Sequence, residues 1–339
     1  NLANSELGPA LVTEIEFGVE AKLFKNRVSL DASYYTKKTT DLIFNRELDP
    51  ATGFTDSPLN VNEFESSGIE LEMNVTVIKT ENFSWDIGGN WTATDSEVTD
   101  LDVDEFRFTD AGGDLGNYLI EGQPVGVIKG SVVATNEAGQ LLTNGRQYEI
   151  ATDAEILGDP NPDWVGSFFT ALQYKSLSLT GNLQYRQGGA IYSTTARSLL
   201  GRGLTTDTDN LQNVGYVLPG YNTITESEND IVISAGDAFF NEYNNGADEI
   251  GIYDGSTIRL QELALTYTFT DKALDKTPFG KFSISLVGEN LYYNAINTPD
   301  GLNLDPNSIG TGVNSNGAGI EGGTSPSSRR IGFNVKASF

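Results

Sequence analysis

The sequence predicts an all-β fold, a transmembrane antiparallel β-barrel with long extracellular loops. Three observations predict it. Apolar and polar residues alternate over unusually long segments, the connections between these segments alternate between short and long, and no run of about 18 apolar residues occurs that could form a membrane-spanning helix. Because a barrel strand needs only one apolar face, the low overall hydropathy does not argue against a membrane location.

The composition excludes several other classes of protein. The 339 residues include 47 Asp and Glu against 21 Lys and Arg, and the formal charge of −26 would repel the phosphate backbone of a nucleic acid. The sequence contains no cysteine, which excludes disulfides and thiolate metal sites, and no histidine, which excludes a Ser-His-Asp triad. We therefore expect neither an enzyme nor a nucleic-acid partner.

The alternation defines four strands in the first hundred residues. In residues 13–23, Ile15, Phe17 and Val19 share one face, whereas Glu14 and Glu16 lie on the other. The same period of two predicts strands at residues 28–34, 69–77 and 83–93. Most of these runs exceed the five or six residues typical of soluble sheets and match a tilted strand that crosses a membrane.

Five more strands follow in the rest of the chain. The alternation predicts them at residues 164–174, 177–185, 263–269, 282–288 and 331–339. A change of phase near Ile258 and Leu260 predicts a β-bulge in the third of these. Nine is an odd number, and bacterial single-chain barrels close with an even number of strands, so we expect strands outside this chain to complete the barrel.

The connections between the strands favour a membrane barrel. They are short at residues 25–27, 78–82, 174–176 and 270–281, and long at residues 36–67, 95–163, 189–257 and 291–328. Membrane barrels have short periplasmic turns and long extracellular loops, whereas compact soluble domains rarely contain loops of that length. The C-terminus is therefore predicted to be periplasmic. A soluble β-sandwich is the alternative that the alternation alone leaves open.

Aromatic residues at the ends of strands predict the girdles that mark the two membrane interfaces. We assign Trp85, Trp164, Tyr174 and Phe269 to these girdles. Any one of them could equally be a core residue, but the clustering of aromatic residues beside the predicted short turns favours the interface.

Eight segments resemble the SusC/RagA-like TonB-dependent outer-membrane transporters of Bacteroidetes. Each is weak alone, but they occur in the family order over nearly the whole chain, which makes the set specific. The terminal Phe339, on an alternating strand, also resembles the signal read by the barrel-assembly machinery. The segments are EIEFGVEA at 14–21, YYTKKT at 34–39, SGIEL at 67–71, FSWDI at 83–87, IEGQPVG at 120–126, PNPDW at 160–164, RQGG at 186–189 and VGENL at 287–291.

The resemblance implies that residues 1–339 form the last portion of one 22-stranded barrel domain in the bacterial outer membrane. A plug domain and an energy-coupling segment would lie N-terminal to this chain. The implied partners are TonB, which acts through that absent part, a SusD-like surface lipoprotein, and outer-membrane lipid and lipopolysaccharide. The implied substrates are glycans or peptides. The first residues lack an initiator Met and a signal-like segment, which indicates a removed signal or a piece of a longer protein.

Candidate substrate contacts lie at the predicted extracellular end of one strand. Arg186, Gln187 and Tyr192 could bind a sugar or a peptide there, and structural anchoring of the loop is the competing interpretation. Arg329 and Arg330, just before the last strand, have the same two interpretations.

An acidic stretch at residues 95–114 is a weak candidate for a calcium site. Asp100, Asp102 and Asp104 place oxygen ligands at alternate positions, but the glycine and the closing glutamate of an EF-hand loop are missing. A solvated acidic loop is the simpler interpretation, and we expect no other cofactor. The glutamates of the polar strand faces are better explained by a hydrated lumen wall than by paired catalytic acids.

The sequence thus predicts energised import across the outer membrane, with this chain as barrel wall and loops. Two alternatives remain: a passive porin-like channel, and a soluble or surface β-rich module that binds glycans. A coupling segment upstream would distinguish the importer from the channel, and extraction without detergent would favour the module.

Overall fold

Nine antiparallel strands form the main sheet of the computed structural model, and they follow one another across the sheet in chain order. This confirms the number of strands that the alternation predicts. The structure describes residues 2–101, 103–206, 208, 214–299, 301–308, 317–323 and 327–339. The strands are β1 Leu11–Leu23, β2 Val28–Glu47, β3 Asp56–Lys79, β4 Phe83–Asp100, β5 Trp164–Tyr174, β6 Leu177–Gln187, β7 Thr257–Thr268, β8 Lys281–Ala295 and β9 Arg330–Ser338.

The first and last strands are the two edges of this sheet. Within the described residues, β1 pairs only with β2 and β9 only with β8, so the sheet does not close on itself. Edge strands present unpaired N–H and C=O groups, which cannot remain unsatisfied inside a membrane. Completion of the barrel by strands outside this chain therefore stays a prediction.

Four tight connections lie together at one end of the sheet, which we call the short-turn end. They are residues 24–27, 80–82, 175–176 and 269–280, and the last contains the short helix α3, Asp271–Leu274. Three consecutive residues of the first turn, Phe24, Lys25 and Asn26, have positive φ angles of 54°, 59° and 64°. The positions of all four turns agree with the sequence prediction to within a few residues.

The first long loop is shorter than predicted. Residues 36–67 do not form a loop: β2 and β3 continue to pair as far as Glu47 and Asp56, which leaves only residues 48–55 between them. The prediction was wrong because this part of the hairpin lies beyond the continuous apolar face of the sheet and lacks regular alternation. Its order comes instead from Phe44 and Phe64, which are buried against the second loop.

The predicted β-bulge in β7 is confirmed. Register shifts occur on both sides of Gln261, between Leu260 and Glu262 opposite β8, and at the matching point opposite β6. The bulge explains the change of phase, because one extra residue moves every following side chain to the other face.

The remaining long loops contain short elements of their own. We call residues 48–55, 101–163, 188–256 and 296–329 the first to fourth loops. The second loop holds a sheet of strands Glu105–Gly112, Leu115–Ile120, Val127–Gly130 and Glu155–Gly158, and the third holds helices α1, Thr194–Gly201, and α2, Ala235–Asn245. Short 3-10 helices lie at Pro50–Thr52, Asp248–Gly251 and Pro306–Ser308.

Several very short strands join one loop to another. Ala190–Ser193 of the third loop pairs with Ile252–Asp254 and with Ile320–Glu321 of the fourth loop. Leu142–Thr143 of the second loop pairs with Tyr221–Asn222 of the third, which also pairs with Ser227–Glu228. Gly215–Tyr216 pairs with Ile233–Ser234. These strands are too short for an alternating pattern to reveal them.

The buried hydrophobic clusters lie mainly in the loops and not in the main sheet. One consists of Leu115, Ile128, Tyr192 and Ile320 and so unites the second, third and fourth loops. Another, Leu218, Ile233 and Ala238, lies within the third loop, and Tyr148 of the second loop packs against it. No helix in the described ranges has the length and apolar character needed to cross a membrane.

Candidate functional site

The main sheet has one apolar and one polar face, and the apolar face is open to its surroundings. Phe17 is 72% exposed and Phe333 is 80% exposed, although a soluble protein would bury side chains of this size. Cross-strand register gathers the apolar residues into continuous rows, one of which runs Trp85, Leu172, Leu179, Leu265, Leu286 and Phe333. Such a face is stable only against an apolar solvent.

The polar face carries a groove across the first four strands. The groove has a volume of about 320 Å³ and is lined by carboxylates, hydroxyls, one amine and one aromatic ring, among them Glu14, Glu16, Tyr35, Lys37 and Glu70. The Tyr35 hydroxyl lies 3.0 Å from the Thr94 hydroxyl on β4. This donor and acceptor set can hydrogen-bond a hydrated polar ligand such as a sugar or a peptide.

A glycine allows the tyrosine ring to cross this face. A Cβ built at Gly68 would lie 2.5 Å from the Tyr35 ring on the neighbouring strand, so any larger residue at Gly68 would displace the ring. Gly88 has the same relation to the ring of Phe169, at 2.1 Å. These glycines shape the polar face by letting aromatic rings approach the backbone closely.

Arg186 and Gln187 lie where β6 reaches the loops. The Arg186 Nη2 donates a hydrogen bond to the carbonyl oxygen of Pro160 at 2.9 Å. The Gln187 side-chain oxygen accepts one from the Tyr185 hydroxyl at 2.9 Å, and its carbonyl accepts one from the Asp163 N–H at 2.9 Å. These contacts join the PNPDW and RQGG segments into one junction and agree with the anchoring interpretation.

The junction depends on a glycine and reaches the second loop. Gly189 has a φ of 86°, and a Cβ there would lie 2.8 Å from the Pro160 carbonyl oxygen. The Asn161 side chain donates to the carbonyl of Val125 at 3.1 Å, which brings in the IEGQPVG segment. Three segments that are separate in the sequence therefore meet where β4, β5 and β6 join the loops.

Tyr192 lies inside the loop layer. It is 7% exposed, belongs to the cluster shared by three loops, and accepts a hydrogen bond from Arg197 Nη1 at 2.7 Å. Burial raises the pKa of its hydroxyl above the ordinary value. Its contacts are those of an anchoring residue, and its contact with a substrate stays a prediction.

Two buried charged side chains fix the loops: Glu321 joins the fourth loop to the third, and Arg197 joins separate parts of the third loop. Glu321 of the fourth loop is 5% exposed and accepts hydrogen bonds from Ser193 Oγ at 2.7 Å, Thr195 N–H at 3.0 Å, Thr195 Oγ1 at 2.8 Å and Gly323 N–H at 2.6 Å. Its carboxylate thus lies at the N-terminus of α1, where negative charge is favoured. Arg197 of α1 donates to the carbonyls of Tyr243 and Gly246 at 2.6 and 2.7 Å.

The second loop is fastened to the third through Asp248. Its Oδ2 accepts from the N–H and the hydroxyl of Ser131 at 3.0 and 2.7 Å, and its Oδ1 pairs with Arg197 at 3.3 Å. The Asn117 side chain completes the triangle, because it donates to the carbonyl of Ala318 in the fourth loop at 2.9 Å. The second, third and fourth loops therefore form one connected layer.

A buried ion pair on the polar face was not predicted from the sequence. Arg259 of β7 pairs with Asp305 of the fourth loop at 2.5 Å, and its guanidinium lies 4.8 Å from the centre of the Tyr293 ring. The Tyr293 hydroxyl donates to the carbonyl of Leu304 at 2.5 Å. The signal available in the sequence was an arginine within the strand beside the bulge, but its partner lies 46 residues away.

The residues predicted for the girdles lie at both ends of the strands. Trp85 Nε1 donates to Thr170 Oγ1 at 3.1 Å, and Tyr174 is exposed at the short-turn end. At the same end Phe269 packs edge-on against Tyr267 and Phe282, with ring centres 5.0 and 5.3 Å apart. At the loop end Trp164 stacks on Tyr185 at 5.0 Å.

Phe339 lies at the short-turn end. It is 89% exposed, and its ring centre is 5.2 Å from that of Phe279. Its recognition by the assembly machinery stays a prediction.

The acidic stretch offers no assembled metal site in the part of the chain that the structure describes. Asp100 ends β4, Asp104 lies just before the next strand, and Asp102 lies outside the described residues. Among the described side chains, no group of three potential ligands of the Asp, Glu, His or Cys type comes together as it would around an ion. Calcium binding here stays a prediction.

A sheet with one open apolar face, one polar face and a layer of loops at one end is the wall of a transmembrane β-barrel. The family model described as TonB dependent receptor-like, beta-barrel, matches residues 1–291. The chain therefore belongs to the TonB-dependent receptor family, whose members are outer-membrane β-barrels.

Known relatives support this assignment over different parts of the chain. One TonB-dependent receptor of Formosa agariphila is 26% identical over 364 aligned residues, which cover 99% of this chain and 35% of that protein. The TonB-dependent receptor SusC of Bacteroides thetaiotaomicron is 28% identical over 105 residues, which cover 31% of this chain and 10% of SusC. A solved structure of the RagAB peptide transporter shares the fold, with a TM-score of 0.68 and 17% identity over 97% of this chain and 35% of that one. The chain spans about a third of the first relative and of the RagAB chain.

Proposed function

We propose that this chain forms part of the barrel wall and the extracellular loops of a TonB-dependent importer of glycans or peptides. The observation that carries the proposal is the open apolar face opposite a polar, groove-bearing face in a member of the TonB-dependent receptor family. Similarity to SusC and to a peptide transporter supports an import function of this kind.

We infer that the short-turn end faces the periplasm and that the four long loops are extracellular. Short turns on the periplasmic side and long loops outside are the general arrangement of bacterial outer-membrane barrels. The chain ends at the short-turn end, so Phe339 would be periplasmic in this orientation. The connected loop layer would then form the rim that a substrate meets first.

The partners follow from the family. A SusD-like surface lipoprotein would dock on the loop layer, and TonB would act through a part of the protein that lies outside this chain. Outer-membrane phospholipid and lipopolysaccharide would surround the apolar face. The similarity to SusC supports both protein partners.

In this function the chain contains and recognises its substrate and carries out no bond chemistry. The groove on the polar face offers carboxylates, hydroxyls and the Tyr35 ring, which suit a neutral or hydrated ligand. Arg186 and Gln187 would act mainly by fixing the junction above this face.

Isothermal titration with calcium chloride would test the acidic stretch at residues 95–114, since binding there should be lost when Asp100 and Asp104 are both replaced by Asn.

The proposal is tested by uptake into cells that express the full-length protein, with and without TonB. Labelled oligosaccharides and peptides of graded size serve as probes. Accumulation that requires TonB supports the importer. Accumulation of small probes without TonB would identify a passive channel, and retention at the cell surface without accumulation would identify a binding module.

A further inference from the structure

The charges of this acidic protein are unevenly distributed along the strands. Nine cations lie in the segments that form the short-turn end, namely residues 22–27, 79–82, 175–176, 269–281 and 336–339, against three carboxylates. Counting side chains, this end has a net charge of +6. The rest of the chain has a net charge of −32, and together they give the total of −26. We call these cations the basic rim: Lys22, Lys25, Arg27, Lys79, Lys175, Lys272, Lys276, Lys281 and Lys336.

The basic rim contributes little to the stability of the fold. All nine side chains belong to exposed residues. Within the described part of the chain, only Lys22 forms an ion pair, with Glu20 at 3.0 Å. Since like charges repel one another and the nine cations outnumber the three carboxylates of these segments, the excess of positive charge points to an anionic partner outside the chain.

The position of the rim selects the kind of partner. Its cations lie just beyond the open apolar face, next to the exposed aromatic residues Phe24, Tyr174 and Phe339. The Lys175 ammonium is 5.4 Å from the centre of the Tyr174 ring. If the apolar face lies in the hydrocarbon of a bilayer and the rings mark its boundary, the lysines reach the depth of the lipid headgroups.

The shape of the rim favours lipid over a protein partner. The cations come from all four short connections and from the end of β9, so they follow the edge of the wall across all nine strands. A protein partner would contact a compact patch with an apolar centre. A lipid leaflet would meet every turn at the same depth.

We propose that the basic rim binds the headgroups of anionic phospholipids in the leaflet that meets the short turns. The proposal rests on the proposed function, because it requires the sheet to be embedded in a membrane. Each phosphate would accept hydrogen bonds from lysine or arginine side chains whose stems lie along the aromatic boundary.

The test uses the full-length protein, purified in detergent and transferred to phosphatidylcholine bilayers with or without a minority of phosphatidylglycerol. The rim variant carries Lys25→Gln, Arg27→Gln and Lys175→Gln. The matched control carries Arg146→Gln, Arg202→Gln and Arg329→Gln, three exposed cations of the loops with the same change in charge. Native mass spectrometry counts the lipids of each class that remain bound.

The rim variant should lose at least about fivefold in apparent affinity for phosphatidylglycerol, which is the effect of one charge near an anionic surface. The control and the unmodified protein should bind it equally, and retention of phosphatidylcholine should be the same in all three. Equal phosphatidylglycerol binding by the rim variant and the unmodified protein would overturn the proposal.

A second measurement needs no variant. Raising the ionic strength should weaken phosphatidylglycerol binding to the unmodified protein and leave phosphatidylcholine unchanged, because salt screens exposed charges. Phosphatidylglycerol binding that does not respond to salt would contradict a role for the rim. A failure of the membrane wall itself would look different, since the unmodified protein would then retain neither lipid and remain dispersed without detergent.

Discussion

Replacement of Leu265 by arginine tests the assignment of the two faces of the sheet. Leu265 lies in the middle of a row of apolar side chains, with Leu179 on β6 and Leu286 on β8 as its direct neighbours. The next residue, Thr266, points to the other face, where its hydroxyl lies 2.8 Å from that of Ser285. The two residues are adjacent in the chain, but the Leu265 side chain lies on the apolar face and the Thr266 side chain lies on the polar face.

The depth of Leu265 sets the expected magnitude. It lies four residues above Phe269, which at a rise of about 3.4 Å per residue and a tilt of about 45° places it about 10 Å from the aromatic boundary. The apolar band of such barrels is about 25 Å tall, so Leu265 is close to its middle. Arginine at that depth costs about 2–4 kcal/mol of stability. Thr266→Arg should cost about 1 kcal/mol, for one neutral hydrogen bond.

The assay is guanidinium titration of the full-length protein folded in lipid vesicles. The folded fraction at each guanidinium concentration is measured as the intensity of the folded band of unheated samples on a denaturing gel. Leu265→Arg should shift the midpoint downward by far more than Thr266→Arg. Equal shifts in the two variants would refute the assignment of the apolar face to lipid. A larger shift for Thr266→Arg would reverse it.

Three further predictions concern the loops and the polar face. Glu321→Ala should destabilise the fourth loop by about 3 kcal/mol, because buried donors lose their acceptor, and should speed its hydrogen exchange, whereas the exposed Glu137→Ala should not. Burial raises the pKa of Glu242 above 4.5, so stability present below pH 4.5 is lost as the pH rises through the raised pKa, and Glu242→Gln should raise the thermal midpoint of the loops at pH 7. Arg259→Met should cost about 3–5 kcal/mol in guanidinium titration by removing the cationic partner of the buried Asp305 carboxylate, and Arg259→Met with Asp305→Leu should recover most of it.

The main sheet could be predicted because its physics is local. In β1, the alternation of Ile15, Phe17 and Val19 with glutamates reports that one face meets an apolar solvent along the whole strand. The bulge at Gln261 is visible in the sequence as a change of phase in the alternation of apolar and polar residues. Beyond the apolar face of the sheet the alternation ends, so the sequence does not reveal that β2 and β3 continue to pair as far as Glu47 and Asp56.

The loop layer could not be predicted because its contacts are distant in sequence. Glu321 lies 128 residues from Ser193, and Asp248 lies 117 residues from Ser131. Glu321 stands beside glycines and Asp248 beside Glu249, and nothing in the sequence distinguishes either from the many other carboxylates of a chain with a charge of −26. Only the closed set of donors around each carboxylate in the folded chain reveals its role.

The two parts of the structure draw their stability from different sources. The main sheet presents its large apolar side chains outward, so its hydrophobic stabilisation depends on the lipid around it. The loop layer buries Leu115, Ile128, Tyr192 and Ile320 within itself and closes its charged groups in pairs. The loop layer has its own buried core and is fixed to the wall at the junction of Pro160 and Gly189, so its packing rests on contacts other than those between the wall and lipid.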